Sequence, residues 1–296
     1  MDPLTQKVWN HAANASQIKF PIQFTCFVNM TPENKNLNIV SVADGFEQAF
    51  WNHVNQDPLH HYFFILDWKE RRDQTKIYLA IQGRKIEGLM LVYADYIVQL
   101  RGNRNAVKRL LDSVSVEKVE LQAPLNCEDV VARKYSPEIR HELVLMSLKK
   151  GEENVQIAHD LMRLGPDFAA QVAEIMRRAD REWWGDVTAE RQRESLEKAY
   201  WLGIIRDQKL VSIGNTRFVD FGSNIGIVAT DECYRNLGFA TSIVSALVQE
   251  ILKKSPVALI HVLSNNAPAL RAYSKVGFKP YKHYLLMRGE KIKAQI

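Results

Sequence analysis

Residues 225–241 read Ile225-Gly226-Ile227-Val228-Ala229-Thr230, then Asp231-Glu232-Cys233-Tyr234, then Arg235-Asn236-Leu237-Gly238-Phe239-Ala240-Thr241. The first six residues are a β-branched and small-residue run that predicts a strand. From Thr241 to Lys254, Ile243, Leu247 and Ile251 recur on one helical face, and Pro256 ends the helix. The chain is thus expected to pass from a strand through a short loop into a helix N-terminus. Such an end carries unpaired N–H groups and a partial positive charge, which suits a phosphate or pyrophosphate. Arg235 adds a fixed cation. Gly238 lets the backbone approach an anion or take a positive φ, and Ala240 keeps the first turn uncluttered. The stretch reads as a phosphate cradle, but neither a Walker loop, lacking G-K-[ST], nor a Rossmann fingerprint, lacking G-x-G-x-x-G.

Working outward, Val257 to Leu263 follows as a buried strand, Asn266 to Val276 as a helix and Tyr281 to Met287 as the last strand. Upstream, Trp201 to Ile205 and Lys209 to Val219 form a hairpin, preceded by helices built on Phe168, Val172, Ile175 and Met176 and on a Thr188 cap. The same order occurs earlier. A strand at Leu37 to Val42 leads into a helix from Asp44, as N-cap, to about Asn55. Ile77 to Ile81 and Ile86 to Tyr93 make a hairpin across Gln82-Gly83-Arg84, followed by a helix over Asn105 to Leu111. A strand over Val116 to Leu121, a helix over Asn126 to Lys134 and a strand over His141 to Leu148 complete this half. Leu79–Ile86 aligns with Gly203–Leu210 at an offset of 124 residues; Asn126 aligns with Asn266 at 140, and His141 with His283 at 142. The rising offset predicts a duplication whose second copy carries about 16 extra residues between hairpin and helix. The charged, glycine-containing stretch from Lys149 to Asn154 divides the chain into domains 1–150 and 151–296.

The cradle, with Tyr234 before its arginine, resembles the [QR]-x-x-G-x-[GA] acetyl-CoA motif of the GNAT superfamily of acyl-CoA-dependent N-acyltransferases. The stretch from Leu263 to Phe278 resembles that family's second signature, an asparagine, an alanine-containing helix, a tyrosine and a closing Gly-Phe. The resemblance covers about residues 160–290 and is closest to FR47-like C-terminal domains; the first half resembles the fold only through the repeat. It implies an α+β fold of two tandem GNAT-like domains, each a mixed, mostly antiparallel twisted sheet flanked by helices. It further implies that Val228, Ala229 and Thr230 lie on a splayed strand whose free backbone groups pair with pantetheine. Arg235, Asn236, Leu237, Gly238, Phe239, Ala240 and Thr241 would hold the pyrophosphate, Asn266 would meet the pantetheine arm, and Tyr273 would aim its hydroxyl at the thioester sulfur. A phenol of pKa about 10 can protonate a departing thiolate of about 8.5.

The expected activity is transfer of an acetyl group from acetyl-CoA, or another acyl group from its acyl-CoA, to a primary amine by direct attack, in the second half. The alternatives are a glycine-type amino-acid N-acyltransferase using longer acyl chains, and a non-catalytic acyl-CoA-binding regulatory protein. No general base is assigned; Asp220, Asp231 and Glu232 are candidates, and His261 reads as a core histidine. Trp183 and Trp184, beside Glu182 and Asp186, fall where the family lines its acceptor pocket. The first half offers only Arg101-Gly102-Asn103-Arg104-Asn105-Ala106 at the cradle position and Arg133 at the Tyr273 position, so it is expected to lack a cofactor site and to wall the acceptor pocket.

Composition supplies the exclusions. The 296 residues, 46% hydrophobic and 25% charged, predict a folded two-domain protein. Cys26, Cys127 and Cys233 are scattered, so neither a disulfide framework nor a zinc site is expected, and no metal is called for. The net charge of +5 is dispersed, with 19 basic against 17 acidic residues in the first 150 and 20 against 17 in the rest. A pI near 9.0 without a basic helix or aromatic platform does not predict nucleic-acid binding. With no apolar run of about 18 residues and no secretory leader, no membrane partner is expected. The expected setting is a cytoplasmic monomer or homodimer acting on a small-molecule or peptide amine.

Overall fold

A computed structural model describes residues 37–293. The first half contains β1 (Asn38–Ser41), α1 (Glu47–Val54), α2 (Tyr62–Glu70), β2 (Thr75–Gln82), β3 (Lys85–Tyr93), β4 (Ile97–Gly102), α3 (Arg104–Ser113), β5 (Lys118–Pro124), α4 (Glu128–Ala132) and β6 (Tyr135–Lys149). The second contains β7 (Met162–Arg163), α5 (Ala169–Ala179), α6 (Arg181–Trp184), α7 (Ala189–Lys198), β8 (Tyr200–Arg206), β9 (Lys209–Arg217), β10 (Ser223–Thr230), α8 (Phe239–Leu252), β11 (Val257–Leu263), α9 (Ala267–Val276) and β12 (Lys279–Lys291). Cys26 lies outside the described residues.

The repeat is visible in backbone detail. Both hairpins, β2–β3 and β8–β9, carry a register shift, between Ala80 and Ile81 in one and between Ile204 and Ile205 in the other. Those positions differ by the 124 residues of the sequence alignment. Strand alternation sends Ile77, Leu79 and Ile81 to α1 and α2 on one face, and Ala80 to α3 on the other. The second half repeats this, with Leu210 and Ile213 against α5 and α7, and Leu202, Ile204 and Val211 against α8. Only one residue, Asn103, separates β4 from α3, whereas residues 231–238 separate β10 from α8. Seven of the extra residues of the second copy therefore sit at the cradle.

All twelve strands form one sheet in the order β1-β2-β3-β4-β5-β12-β6-β11-β10-β9-β8-β7. Only β4–β5 and β10–β11 are parallel; the other pairs are antiparallel. The two halves exchange their last strands. β12 lies between β5 and β6, and β6 lies between β12 and β11. Residue 150 thus marks the end of a strand both of whose neighbours come from the second half. Helix α2 covers this seam, where Tyr62 and Leu66 pack on Leu145, Leu259 and Tyr284.

Several local expectations are corrected. Asp44 is not an N-cap: Ser41 accepts from Ala43 N–H to open a short 3-10 turn over Val42–Asp44, and α1 starts later, behind Phe46. The helix expected over Asn126 to Lys134 is a 3-10 turn at Leu125–Cys127 followed by five α-helical residues. Helix α2 and strand β4 were not foreseen. Tyr62 to Leu66 is apolar on every side because α2 is buried on most of its surface, which erases the amphipathic period.

Candidate active site

A cavity of about 1040 Å³ opens where β10 leaves β11. The two strands pair only through Ser223–Ile225 and Ala258–Ile260. Past that point β11 continues along β6 to Leu263, while β10 follows β9 through a register shift between Ile225 and Val228. Asn215 Oδ1 takes the Ile227 N–H at 2.8 Å and fixes the irregularity. Val228, Ala229 and Thr230 line the cavity on the edge that β11 has left. A strand edge without its neighbour presents unmatched N–H and C=O groups, which a ligand can pair.

Helix α8 points its N-terminus into the same cavity. Gly238, at φ +81°, is its N-cap and brings no side chain to the first turn. The first helical bond runs from Ser242 N–H to the Gly238 carbonyl, so the amides of Phe239, Ala240 and Thr241 have no acceptor among the described residues. These three residues line the cavity with Arg235, Asn236 and Gly238. Arg235 is exposed and forms no ion pair among the described residues. Leu237 is the exception: its side chain is 56% exposed outside the cavity, and its carbonyl accepts from His159 Nε2 at 2.8 Å. A Cβ at residue 238 would meet nothing nearer than His159 Nε2 at 3.6 Å, so the glycine is required by φ rather than by space. Gly238→Ala is expected to destabilise the protein by about 1 kcal/mol through left-handed strain alone, measured by urea denaturation.

The matching helix of the first half is closed. Asn103 folds its side chain over the α3 N-terminus and accepts from Ala106 N–H at 2.9 Å. A Cβ on Gly102, at φ +118°, would stand 2.3 Å from the Glu87 carbonyl oxygen, so the turn is pressed against β3 with no room for an anion. Arg133, at the position of the second-half tyrosine, is exposed and pairs with Asp129 at 3.6 Å.

Tyr273, on α9, is buried and borders the cavity, and its hydroxyl has no hydrogen-bond partner among the described residues. Burial pushes its pKa above the ordinary phenol range, so it stays protonated. Asn266 caps α9 by accepting from Ala269 N–H at 3.2 Å and also lines the cavity, so capping and ligand contact are compatible.

The far side of the cavity comes from the first half, with Phe63, Asp67, Arg71, Tyr93, Gln99 and Gln122 on its wall. Trp183 and Trp184 face them from α6, and the Arg288 guanidinium lies 3.8 Å from the centre of the Trp183 ring. Sequence reading anticipated the tryptophans but not Asp67, Gln99 or Gln122. These sit in the missed elements α2 and β4 and on β5, and polar residues inside apolar strands were the only available signal. His261 also lines the cavity, with Nδ1 3.2 Å from Asn224 Oδ1. The three acidic candidates for general base are elsewhere. Asp231 caps its own 3-10 turn through Cys233 N–H and receives Arg178 at 3.4 Å, Glu232 is exposed, and Asp220 accepts from Phe221 N–H. None of them lines the cavity.

Burial holds the imidazoles near this seam neutral. The pKa is lowered to about 2 at His60, about 4 at His61 and about 3 at His261, mainly by desolvation and secondarily by the Arg101 cation. A depressed histidine gives stability that is complete above its unfolded pKa of about 6.5 and is lost as pH falls below it. Asp67 opposes this. Burial raises its pKa to about 6, so its contribution grows as pH falls from neutrality through 6. Three histidines against one carboxylate predict a net loss of roughly 2–4 kcal/mol between pH 6.5 and 5. A urea midpoint that stays flat over that interval would refute the prediction.

Comparison with known proteins places this geometry. A family model described as FR47-like protein matches residues 201–287. A Drosophila protein of solved structure is similar at a TM-score of 0.63 and 12% identity, over 85% of this chain and 98% of that one. A GNAT-family acetyltransferase from Colwellia psychrerythraea is similar at 0.56 and 14%, over 86% and 100% of the two chains. A tandem GNAT protein from the clavulanic acid biosynthesis pathway is similar at 0.53 and 13%, over 88% and 100%. No curated protein matches the sequence. The chain therefore has the tandem GNAT fold, with an FR47-like region in its second half.

Proposed function

We propose that this protein is an N-acyltransferase that uses acetyl-CoA to acetylate a primary amine by direct attack, with the active site in the cavity between β10 and β11. One observation carries the reading: an unpaired strand edge, an uncapped helix N-terminus and a hydroxyl without a partner among the described residues open onto one cavity. Each element fits a different part of an acyl-CoA. The amides of Phe239, Ala240 and Thr241, with Arg235 beside them, would hold the pyrophosphate. The edge of Val228–Thr230 and the Asn266 side chain would hold the amide-bearing arm. The bound thioester supplies an activated acyl carbonyl and a thiolate leaving group.

The chain's own work is orientation and hydrogen bonding. Tyr273 Oη, kept protonated by burial, is available to donate a hydrogen bond where negative charge collects on the departing sulfur. With its pKa raised, donation of the hydrogen bond rather than outright loss of the proton is its stronger contribution. The test is an acetyl-CoA consumption assay over an amine library. Arg235→Ala is expected to raise the KM for acetyl-CoA about tenfold with little change in kcat, as expected for loss of a charge-assisted contact made equally before and during reaction.

A further inference from the structure

Arg101, at the end of β4, is 3% exposed and has no carboxylate partner among the described residues. Its guanidinium donates to the His60 carbonyl at 3.1 Å, the Leu100 carbonyl at 2.9 Å, Gln99 Oε1 at 3.2 Å and Gln122 Oε1 at 2.5 Å. The rings of Tyr284 and Phe64 flank it, at 4.2 and 5.6 Å. All its hydrogen-bond partners are neutral; the Asp57 carboxylate acts on it without contact and is itself held by Tyr281 Oη at 2.6 Å and Lys282 Nζ at 3.6 Å, and a buried charge without a contacting counter-charge is costly. The cavity acids do not supply one. Asp67 is paired with Arg71 at 3.1 Å, Glu120 with Arg288 at 3.1 Å, and Asp180 accepts from Trp183 N–H at 2.9 Å.

Gln99 and Gln122 are neighbours across the parallel β4–β5 pair. Arginine only donates, so both amides must turn their oxygens towards it, and their Nε2 groups are left to donate elsewhere. Neither Nε2 has an acceptor among the described residues. Both residues, 7% and 6% exposed, line the cavity, and neither nitrogen is sealed from its space. Two donors polarised by one cation that has no contacting counter-charge thus open onto the cavity that Tyr273 also borders.

We propose that Gln99 and Gln122, backed by Arg101, form a carboxylate-binding subsite, and that the acceptor is an amine bearing a carboxylate, with an α-amino acid as the simplest case. The assignment of that carboxylate to an acceptor rests on the N-acyltransferase reading. The two Nε2 groups donate to the carboxylate oxygens, and the guanidinium behind them provides the balancing charge. A neutral amine leaves that charge without a contacting counter-ion, and a polyamine adds like charges to the same wall.

The test measures binding apart from turnover, with N-acetylglycine and N-acetylglycinamide as probes in calorimetry. The wild-type protein is expected to bind the carboxylate probe roughly tenfold or more tighter, as for hydrogen bonds to a charged group. Gln122→Glu keeps the side-chain shape and gives Arg101 an anion of its own. It is expected to retain or raise the melting temperature while abolishing the preference. Gln122→Met, which removes the donor at similar volume, is expected to reduce the preference and provides a second variant. Equal binding of the two probes by the wild type overturns the subsite, as does an undiminished preference in folded Gln122→Glu. Selective binding without acylation of any amine supports the subsite and removes the enzymatic reading instead.

Discussion

Replacing Tyr273 with phenylalanine is expected to lower turnover about 10²- to 10³-fold while leaving CoA affinity within about threefold of wild type. The ring of Tyr273 belongs to the core with Val276 and Phe278, and phenylalanine preserves that packing. Its hydroxyl bonds to nothing among the described residues, so its removal breaks no contact there. Stability should change little, because the hydroxyl faces cavity space and holds no contact within the described residues. Loss of rate with retained stability and binding would place the hydroxyl in the reaction. A fall in melting temperature of several degrees, or unchanged turnover, would assign Tyr273 to the core alone. Steady-state kinetics, CoA calorimetry and thermal unfolding on the one variant separate these outcomes.

The second large effect concerns β12. A chain stopped after Phe278 is expected not to fold, although it keeps the whole cradle and Tyr273. Strand β12 pairs along its length with β5 on one side and β6 on the other, near the middle of the sheet. It also contributes Tyr284, Leu285 and Met287, each at most 2% exposed. Removing three such side chains costs about 2–5 kcal/mol apiece, against a total stability of about 5–15 kcal/mol for an ordinary domain. The loss reaches both halves, since Leu285 and Met287 pack with α3 while Tyr284 packs with α2 and Leu259. Circular dichroism and limited proteolysis check this; a protease-resistant fragment over residues 151–278 would contradict it. Leu285→Ala provides a graded version, expected to lower stability by about 2–5 kcal/mol without altering the cradle.

The cradle and the repeat were legible because they depend on short-range signals. Gly238 and the Ile243, Leu247, Ile251 face locate a helix start that no tertiary contact has to reveal. The hairpins could be aligned because their turn residues and flanking apolar runs recur at a fixed distance. Pairing between distant strands leaves no such trace: β6 and β12 both read as ordinary apolar strands, and nothing in either identifies the other as its neighbour. The acceptor wall was hidden for a related reason. Gln99 and Gln122 are unremarkable in sequence, and only the β4–β5 register sets them side by side in front of Arg101. The loop acids Asp220 and Asp231 attracted attention through proximity in sequence to the cradle. In space they are occupied with local backbone and Arg178.

The exchanged strands also set a timetable for synthesis. Lys149, at the end of β6, and Lys279, at the start of β12, are 130 residues apart. At translation rates of about 5–20 residues per second, roughly 6–26 s pass before β12 can take its place. During that interval β5 and β6 present long open edges, the kind of surface through which nascent chains associate with one another. Slowing growth by lowering temperature lengthens the interval, whereas a holding chaperone shields the edges. Soluble yield in a heterologous host should therefore respond more to chaperone supply than to cold induction.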